Sequence, residues 1–199
     1  MSLMNLKARL VKLTAHKELC KNRGKETENR LKELKNEQID IESALKFLQF
    51  CATKTQQNIE SKLSKIVTSA LQTVYPEENY AFIIKFIEKR NSTECQLLFK
   101  KGGYEFNPLE EDAGGPIDIA SLALLISFVI LEKKERIIIT DEPFKNVSTQ
   151  KMPVAVQLLK NICQKLKFQI IMVSHFNEII KYADTSFYIK KGEIKGGVE

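Results

Sequence analysis

Two adjacent carboxylates at the end of an apolar run suit metal-assisted chemistry. Asp141 and Glu142 directly follow residues 137–140, Ile-Ile-Ile-Thr. Such a run is typical of a buried strand, so the pair is expected where the strand leaves the core. There the first carboxylate could hold Mg²⁺, and the second could orient or deprotonate a water molecule. On these residues alone, two solvated surface carboxylates are an equally open interpretation.

Two further features could act on a phosphate group. His175 follows a second apolar run, residues 168–173, with Ser174 between them. Gly114 and Gly115 precede a long apolar segment, which would place their N–H groups at the positive end of a helix. Taken singly, the histidine could lie on the surface and the glycines could only form a turn. The order and spacing of the three features restrict the function more than any one of them does.

The segments that carry these residues alternate between strands and helices. Strands are predicted at 136–140, 168–173 and 186–190, and helices at 117–131, 150–166 and 177–183. This order predicts an α/β fold with a mainly parallel sheet and flanking helices. Because functional residues of such sheets lie beyond the carboxyl ends of the strands, we expect Asp141-Glu142 and Ser174-His175 to lie close together. Before them, residues 80–90 and 95–100 predict a β-hairpin with a turn at 91–93 and an end at Lys101-Gly102-Gly103.

The first 70 residues are predicted to form a coiled-coil arm. From Leu6, alternate steps of four and three reach position 66, and twelve of the 18 positions are Leu, Ile, Ala or Cys. We call these apolar positions the seam: Leu6, Leu10, Leu13, Cys20, Leu31, Leu34, Ile41, Leu45, Leu48, Ala52, Ile59 and Ile66. A 3.5-residue repeat kept over nine heptads is typical of a coiled coil, so a partner helix or a second copy is expected. The seam weakens at Lys17, Gly24 and Thr27, where we expect a local break or hinge.

Composition excludes several classes of protein. With 43% apolar and 28% charged residues in 199, the chain is neither disordered nor collagen-like. No apolar run is expected to span a membrane, and four widely spaced cysteines favour reduced thiols in the cytoplasm. Residues 1–70 hold 14 Lys or Arg against 8 Asp or Glu, whereas residues 71–199 hold 17 of each. The net charge of +6 therefore lies on the arm, which suits DNA or an acidic partner but also an ordinary solvated helix.

Taken together, these motifs resemble the C-terminal lobe of the ABC-type ATPase head of SMC, SbcC and RecF/RecN proteins. Gly114-Gly115 with the following helix resembles the signature motif, and residues 137–143 resemble the Walker B strand. Residues 144–148 resemble the D-loop, and residues 170–175 resemble the switch-histidine strand. The arm resembles the returning coiled coil that leads into this lobe. On this resemblance the chain divides into a coiled-coil arm, 1–70, and an ATPase C-lobe, 71–199.

The resemblance implies a role for each candidate residue. Asp141 would position Mg²⁺, Glu142 would activate water, and His175 would contact the γ-phosphate of ATP. Nucleotide on an opposing head would be contacted by the predicted signature and D-loop positions, which are Ala113, Gly114, Gly115 and Ser148. It also implies DNA as a ligand, a role in DNA repair or chromosome organisation, a place at the nucleoid, and a nuclease subunit as an accompanying partner.

Three departures from the family pattern bear on activity. The 199 residues contain no GxxxxGK[ST], so a P-loop would come from an N-lobe on the same or another chain. Ala113 stands where the family usually has Ser, and Ser148 stands in the place of the D-loop aspartate. Two hypotheses therefore remain. The chain is half of a head that hydrolyses ATP when an N-lobe completes it, or it is an inactive interaction module that dimerises or caps a complete head. A metal-dependent nuclease is disfavoured because the acidic residues are too few.

Overall fold

The computed structural model describes residues 3–89, 92–111 and 113–198, which divide between two compact units, residues 1–55 and 56–199. The helices are α1 (Leu3–Val74), α2 (Gly114–Leu131), α3 (Met152–Leu166) and α4 (Asn177–Ile180). The strands are β1 (Ala81–Lys89), β2 (Ser92–Lys101), β3 (Tyr104–Phe106), β4 (Ile137–Asp141), β5 (Gln169–Val173), β6 (Ser186–Lys190) and β7 (Glu193–Val198).

In the first unit, α1 is an unbroken helix. The break expected between residues 17 and 27 is wrong, because helical hydrogen bonding continues there and Thr27 Oγ1 donates to the Arg23 carbonyl at 2.8 Å. A single interior glycine such as Gly24 costs only about 1 kcal/mol of helix stability relative to alanine, and it is the only glycine in α1. Large seam side chains such as Leu34, Ile41 and Leu45 remain about half exposed or more. Within this unit the seam is therefore an uncovered apolar stripe.

In the second unit, the last turns of α1 are core elements. Leu63, Val67, Leu71 and Val74 are at most 3% exposed and recur at helical spacing. The hydrophobic core therefore begins before residue 70, where sequence periodicity places the end of the arm. It continues through α2 and α3 and through the inner faces of the sheets.

The predicted hairpin is confirmed and gains a third strand. β1 pairs antiparallel with β2 over its whole length, and β2 pairs antiparallel with β3. The turn position 91 lies outside the described residues, whereas Ser92 and Thr93 belong to β2 rather than to the turn. Gly102 and Gly103 do not end the structure; at φ 58° and 90° they form the tight turn into β3.

The α/β part contains the predicted parallel sheet, in a smaller form. β4 and β5 pair in parallel with Ile137 opposite Gln169 and Asp141 opposite Val173. The prediction of β6 as a further parallel strand is wrong for the described residues, because β6 pairs antiparallel with β7 in a separate two-stranded sheet. The short helix α4 ends at Ile180, three residues before its predicted end.

One face of the β4–β5 sheet is bare. Ile138 is buried and belongs with Ile170 and Met172 to the core that α2 and α3 share. The alternate residues face the other way and are exposed: Ile137 49%, Ile139 75%, Ile171 50% and Val173 61%. Parallel strands with apolar residues on both faces are normally covered on both faces. This sheet is therefore covered on one side only within the described residues.

The sequence predicts no apolar run long enough to span a membrane, and helix α2 corrects this expectation. It has 18 residues, and by length and composition it is the one helix of the described residues that could span a membrane. Eight of its residues are buried, among them Ile119, Ala123 and Ile126, which pack with α1 and α3. In this fold α2 is the central helix of the core.

Candidate functional site

The parallel register brings the ends of β4 and β5 side by side. Asp141 is the last residue of β4 and lies opposite Val173, the last residue of β5. Glu142 continues the pairing, since its N–H donates to the Val173 carbonyl at 2.9 Å. The two polar pairs that follow the strands, Asp141-Glu142 and Ser174-His175, therefore share one edge of the sheet.

The carboxylate of Glu142 contacts the residues that follow β5. Its Oε1 accepts a hydrogen bond from the His175 N–H at 3.1 Å and lies 2.7 Å from His175 Nδ1. Its Oε2 accepts from the Ser174 hydroxyl at 3.3 Å. Glu142 itself has φ 47°, a left-handed backbone conformation that residues other than glycine rarely adopt. Four other non-glycine residues share this conformation, and at Glu142 it occurs where the chain leaves β4.

These contacts define the chemical state of Glu142. The hydrogen bond to His175 holds the pKa of the Glu142 carboxyl below its usual range, with a smaller effect from Ser174. A carboxylate with a lowered pKa is a weaker proton acceptor. Oε1 has two hydrogen-bond partners and Oε2 has one, so Oε2 is the oxygen that can accept a further donor such as water. His175 contacts Glu142 in this arrangement; its contact with a γ-phosphate stays a prediction.

Asp141 suits Mg²⁺ bound together with phosphate rather than Mg²⁺ alone. Among the described residues there is no cluster of three or more His, Cys, Asp or Glu that could hold a metal ion. Asp141 is exposed, and the neighbouring carboxylate of Glu142 is occupied by His175. Mg²⁺ commonly takes one or two carboxylates, several waters and substrate phosphate oxygens. The residues present fit that mode of binding.

A second group of predicted residues meets at the N-terminus of α2. Ala113 is the N-cap residue and supplies no side-chain cap, and Gly114 and Gly115 form the first turn. The β4–α3 loop, residues 142–151, packs against this turn. A Cβ atom on Gly114 would lie 2.9 Å from the Asn146 Cβ, and one on Gly115 would lie 3.0 Å from the Asn146 carbonyl oxygen. The two glycines thus permit a close approach between the helix and the loop.

Tyr75, the residue after α1, completes this junction. Its hydroxyl oxygen would overlap a Cβ atom on Gly115, so a larger residue at this position would force the ring or the helix to shift. Burial raises the pKa of Tyr75 to about 12, with smaller contributions from Glu78 and Asp118. The hydroxyl therefore stays neutral at physiological pH. The end of α1, the start of α2 and the β4–α3 loop meet at this point.

Sequence reasoning missed three residues at the N-terminus of α2, which are Tyr75, Asp118 and Asn146; Ser174 was predicted beside Glu142, and it contacts Glu142. Asp118 accepts hydrogen bonds from the Asn146 N–H at 2.7 Å and from Asn146 Nδ2 at 3.2 Å. One signal was available: Asp118 is the only charged residue in α2, and a charge within an apolar helix normally has a partner. Ser148, predicted from the resemblance, is exposed and follows the buried Val147; its carbonyl accepts from the Lys151 and Met152 N–H groups.

We expect Gly115→Ala to destabilise the second unit by about 1–3 kcal/mol, because the new methyl group overlaps the Tyr75 hydroxyl. The measurement is the free energy of unfolding in urea. Adding Tyr75→Phe removes the overlapping oxygen, so the double variant should recover part of the loss. The matched control is Gly24→Ala, which meets no atom within 4 Å and lies inside a helix, and it should not destabilise the chain. Equal effects of Gly115→Ala and Gly24→Ala would contradict the packing described here.

Comparison with known proteins identifies the fold. No protein-family model matches the chain, and no curated protein sequence matches it. Solved structures of SMC ATPase heads do. A chain from work on ATP-driven dimerisation and DNA-stimulated activation of SMC ATPases has 15% identity and a TM-score of 0.53. An Smc head bound to the C-winged-helix domain of ScpA has 14% identity and a TM-score of 0.55. The Smc head of Pyrococcus yayanosii with a coiled coil and joint has 14% identity and a TM-score of 0.57.

The extent of these matches differs. The first covers 69% of this chain and 83% of the neighbour, so most of that neighbour has a counterpart here. The Smc head with ScpA is matched over 71% of this chain but 44% of its own length, and the Pyrococcus yayanosii head over 79% and 31%. The chain thus has the fold of part of an SMC head: a long helix, a β-hairpin and an α/β region with a parallel sheet.

Proposed function

We propose that this chain is half of an SMC- or SbcC-like ATPase head that binds and hydrolyses ATP when a P-loop-bearing lobe completes it. The observation that carries the proposal is the contact between Glu142 and His175, 2.7 Å apart, at the carboxyl edge of the parallel sheet. An acidic residue and an imidazole at that edge form a site for a reacting phosphate and water. The likeness to SMC heads supports an ATPase-head-like domain, and the specific roles below belong to the proposal.

The bare face of the β4–β5 sheet supports a missing partner lobe. Ile139 lies two residues before Asp141, and Val173 lies opposite Asp141 in the sheet; they are 75% and 61% exposed. A lobe that covers this face would also bring its phosphate-binding loop to the edge where the polar residues lie. The backbone N–H groups and lysine of such a loop supply most of the donors to the β- and γ-phosphates.

Within the completed head, each residue has a distinct role. Asp141 would hold Mg²⁺, which neutralises the phosphate charge when ATP is bound. Glu142 would accept the proton of the attacking water, and His175 would exchange its contact with Glu142 for one with the γ-phosphate. The N-terminus of α2 at Gly114 and Gly115 would stabilise the phosphates of nucleotide on an opposing head. Ala113 and Ser148 would line that same contact.

A second candidate function rests on the residues that depart from the family pattern. Ala113 provides no hydroxyl at the N-cap of α2, and Ser148 provides no carboxylate in the β4–α3 loop. Both changes weaken contacts to an opposing nucleotide. The alternative is a catalytically inactive module that dimerises or caps a complete ATPase head through the same bare sheet face.

ATP turnover before and after mixing separates the two functions. The chain is measured alone, then with a separately produced P-loop-bearing lobe of an SMC-type head, in the presence of Mg²⁺. Turnover that appears only in the mixture supports the half-head. Binding of the lobe without any turnover supports the interaction module, and turnover by the chain alone contradicts both.

We further propose that the arm pairs with a helix of a partner chain or of a second copy. The exposed seam in residues 6–48 is the surface that such a helix would cover. We expect Leu45→Asp to weaken self-association by about tenfold or more, because a charge would have to be buried in the interface. The matched control is Phe47→Asp, since Phe47 is 65% exposed but lies off the seam. Sedimentation equilibrium measures both. Equal weakening by both variants would contradict pairing through the seam.

DNA binding by the arm is a separate proposal, supported by its excess of 14 basic over 8 acidic residues in positions 1–70. Contacts to phosphates release counterions, so we expect affinity for duplex DNA to fall at least about tenfold between about 50 and about 200 mM salt. Charge reversal at Lys21 and Lys25, one helix turn apart, should weaken binding. Charge reversal at Lys133 and Lys134, within residues 71–199, where basic and acidic residues are equal in number, should not weaken binding. Fluorescence anisotropy with a labelled duplex tests this, and salt-independent binding would contradict it.

A further inference from the structure

Two residues of α2, Gly114 and Asp118, contact Asn146 of the β4–α3 loop, and we call this contact the latch. Gly114 and Asp118 are four residues apart, so they lie on the same face of α2, and both meet Asn146. The glycines allow the loop to approach, and the Asp118 carboxylate then accepts two hydrogen bonds from Asn146. The shorter of these, 2.7 Å from the backbone N–H, engages the loop where its own turn hydrogen bonds are 3.1–3.2 Å long.

Asp118 lies in the second turn of α2, beyond the first turn where the positive end of the helix acts most strongly. Its role therefore rests on the two hydrogen bonds that it accepts from Asn146. On either side of Asn146 the loop is fixed differently: Phe144 and Val147 are buried, while Lys145 and Ser148 are exposed. Asn146 is therefore the position where a polar contact sets the path of the loop.

We propose that Asp118 is a positioning residue that holds the β4–α3 loop against the N-terminus of α2. Through it, Gly114, Gly115 and Ser148 form one surface for the phosphates of an opposing nucleotide. The inference rests on the proposed function for the ligand of that surface, whereas the latch itself is a property of the isolated chain. Asp118 acts through Asn146 and does not itself touch nucleotide.

Substitutions between Asp and Asn at positions 118 and 146 keep the shape of the side chains, so they test the latch without disturbing the packing of the fold. Asn146→Asp places a second carboxylate against Asp118 and removes the side-chain donor. Asp118→Asn leaves an acceptor for the Asn146 N–H, and rotation of the Asn146 amide restores the second hydrogen bond. The double variant Asp118→Asn with Asn146→Asp exchanges the two groups and again allows both bonds. Asn161→Asp on the exposed face of α3 adds the same charge without touching the latch.

Hydrogen exchange on the whole 199-residue chain is the first readout. We expect Asn146→Asp to speed exchange of the backbone amide at position 146 by about tenfold or more, while the double variant, Asp118→Asn and Asn161→Asp stay near the wild-type rate. Unchanged exchange in Asn146→Asp, or a double variant as fast as Asn146→Asp, would overturn the latch.

ATP turnover of the completed head is the second readout. We expect Asn146→Asp to lower kcat by about tenfold and the double variant to recover it, with unfolding midpoints unchanged. A wild-type mixture without turnover would refute the proposed function, and the exchange data would still decide the latch. Turnover that is normal in Asn146→Asp despite fast exchange would overturn the positioning role.

Discussion

Glu142→Gln should lower ATP turnover by the completed head by about 10²–10⁴-fold while ATP binding is retained. A glutamine has the shape of glutamate but accepts no proton at neutral pH, so the attacking water keeps its proton. The side-chain carbonyl of the substituted amide can still accept from the His175 N–H, which lies 3.1 Å from Glu142 Oε1 in the wild type. The variant therefore removes the base and leaves the β4–β5 edge in place.

Glu132→Gln is the matched control for this prediction. Glu132 is exposed at the C-terminal end of α2 and precedes β4, whose other end carries Asp141, so its substitution should leave turnover unchanged. Single-turnover hydrolysis and equilibrium binding of a fluorescent ATP analogue separate the chemical step from affinity. Glu142→Gln with normal turnover would show that another group takes the proton. Equal loss of binding and turnover would give Glu142 a structural role instead.

Phe144→Ala is expected to destabilise the second unit by about 3–5 kcal/mol. Phe144 is 1% exposed, and it lines a small apolar cavity of about 20 Å³ with Ala70, Ala155 and Leu159. Removing the ring would enlarge a space that α1, α2 and α3 already leave unfilled. Because the chain has no Trp, near-ultraviolet circular dichroism of the tyrosines is the signal to follow in guanidinium.

Phe187→Ala is the matched control, because it measures the loss of stability when an exposed phenyl ring is removed. Phe187 is 68% exposed on β6, so its truncation should change stability by no more than about 0.5 kcal/mol. A small effect of Phe144→Ala, close to that of Phe187→Ala, would contradict the placement of Phe144 in the core. A large effect would also show that the β4–α3 loop is anchored by its apolar residues as well as by Asp118.

The sequence could predict those parts of the fold that local periodicity encodes. The apolar runs before Asp141 and Ser174 indicate buried strands, and a parallel arrangement then places both polar pairs at one edge. The 3.5-residue repeat indicates a long helix with one apolar stripe. Each of these features depends on residues close together in the chain, so the predicted strands and helices recur in the structure with small shifts of their ends.

Local periodicity does not predict contacts between residues that are distant in the chain. The Asp118–Asn146 pair joins residues 28 positions apart, and Tyr75, just after α1, meets Gly115 of α2. The pairing of β6 with β7 was also missed, because β7 carries Gly196 and Gly197 and has little β propensity. The continuity of α1 through residues 17–27 was missed for the opposite reason: a gap in the seam affects pairing between helices but not helix formation itself.

Equilibrium ATP binding is the most direct test of the proposal that this chain is half of an ATPase head. A fluorescent ATP analogue with Mg²⁺ is titrated with this chain, with a P-loop-bearing lobe, and with the two together. We expect negligible affinity for this chain alone and at least about tenfold tighter binding by the mixture than by the lobe alone, with the gain lost in Asp141→Ala. Tight binding by this chain alone, or a mixture no better than the lobe, would contradict a triphosphate site shared between the two.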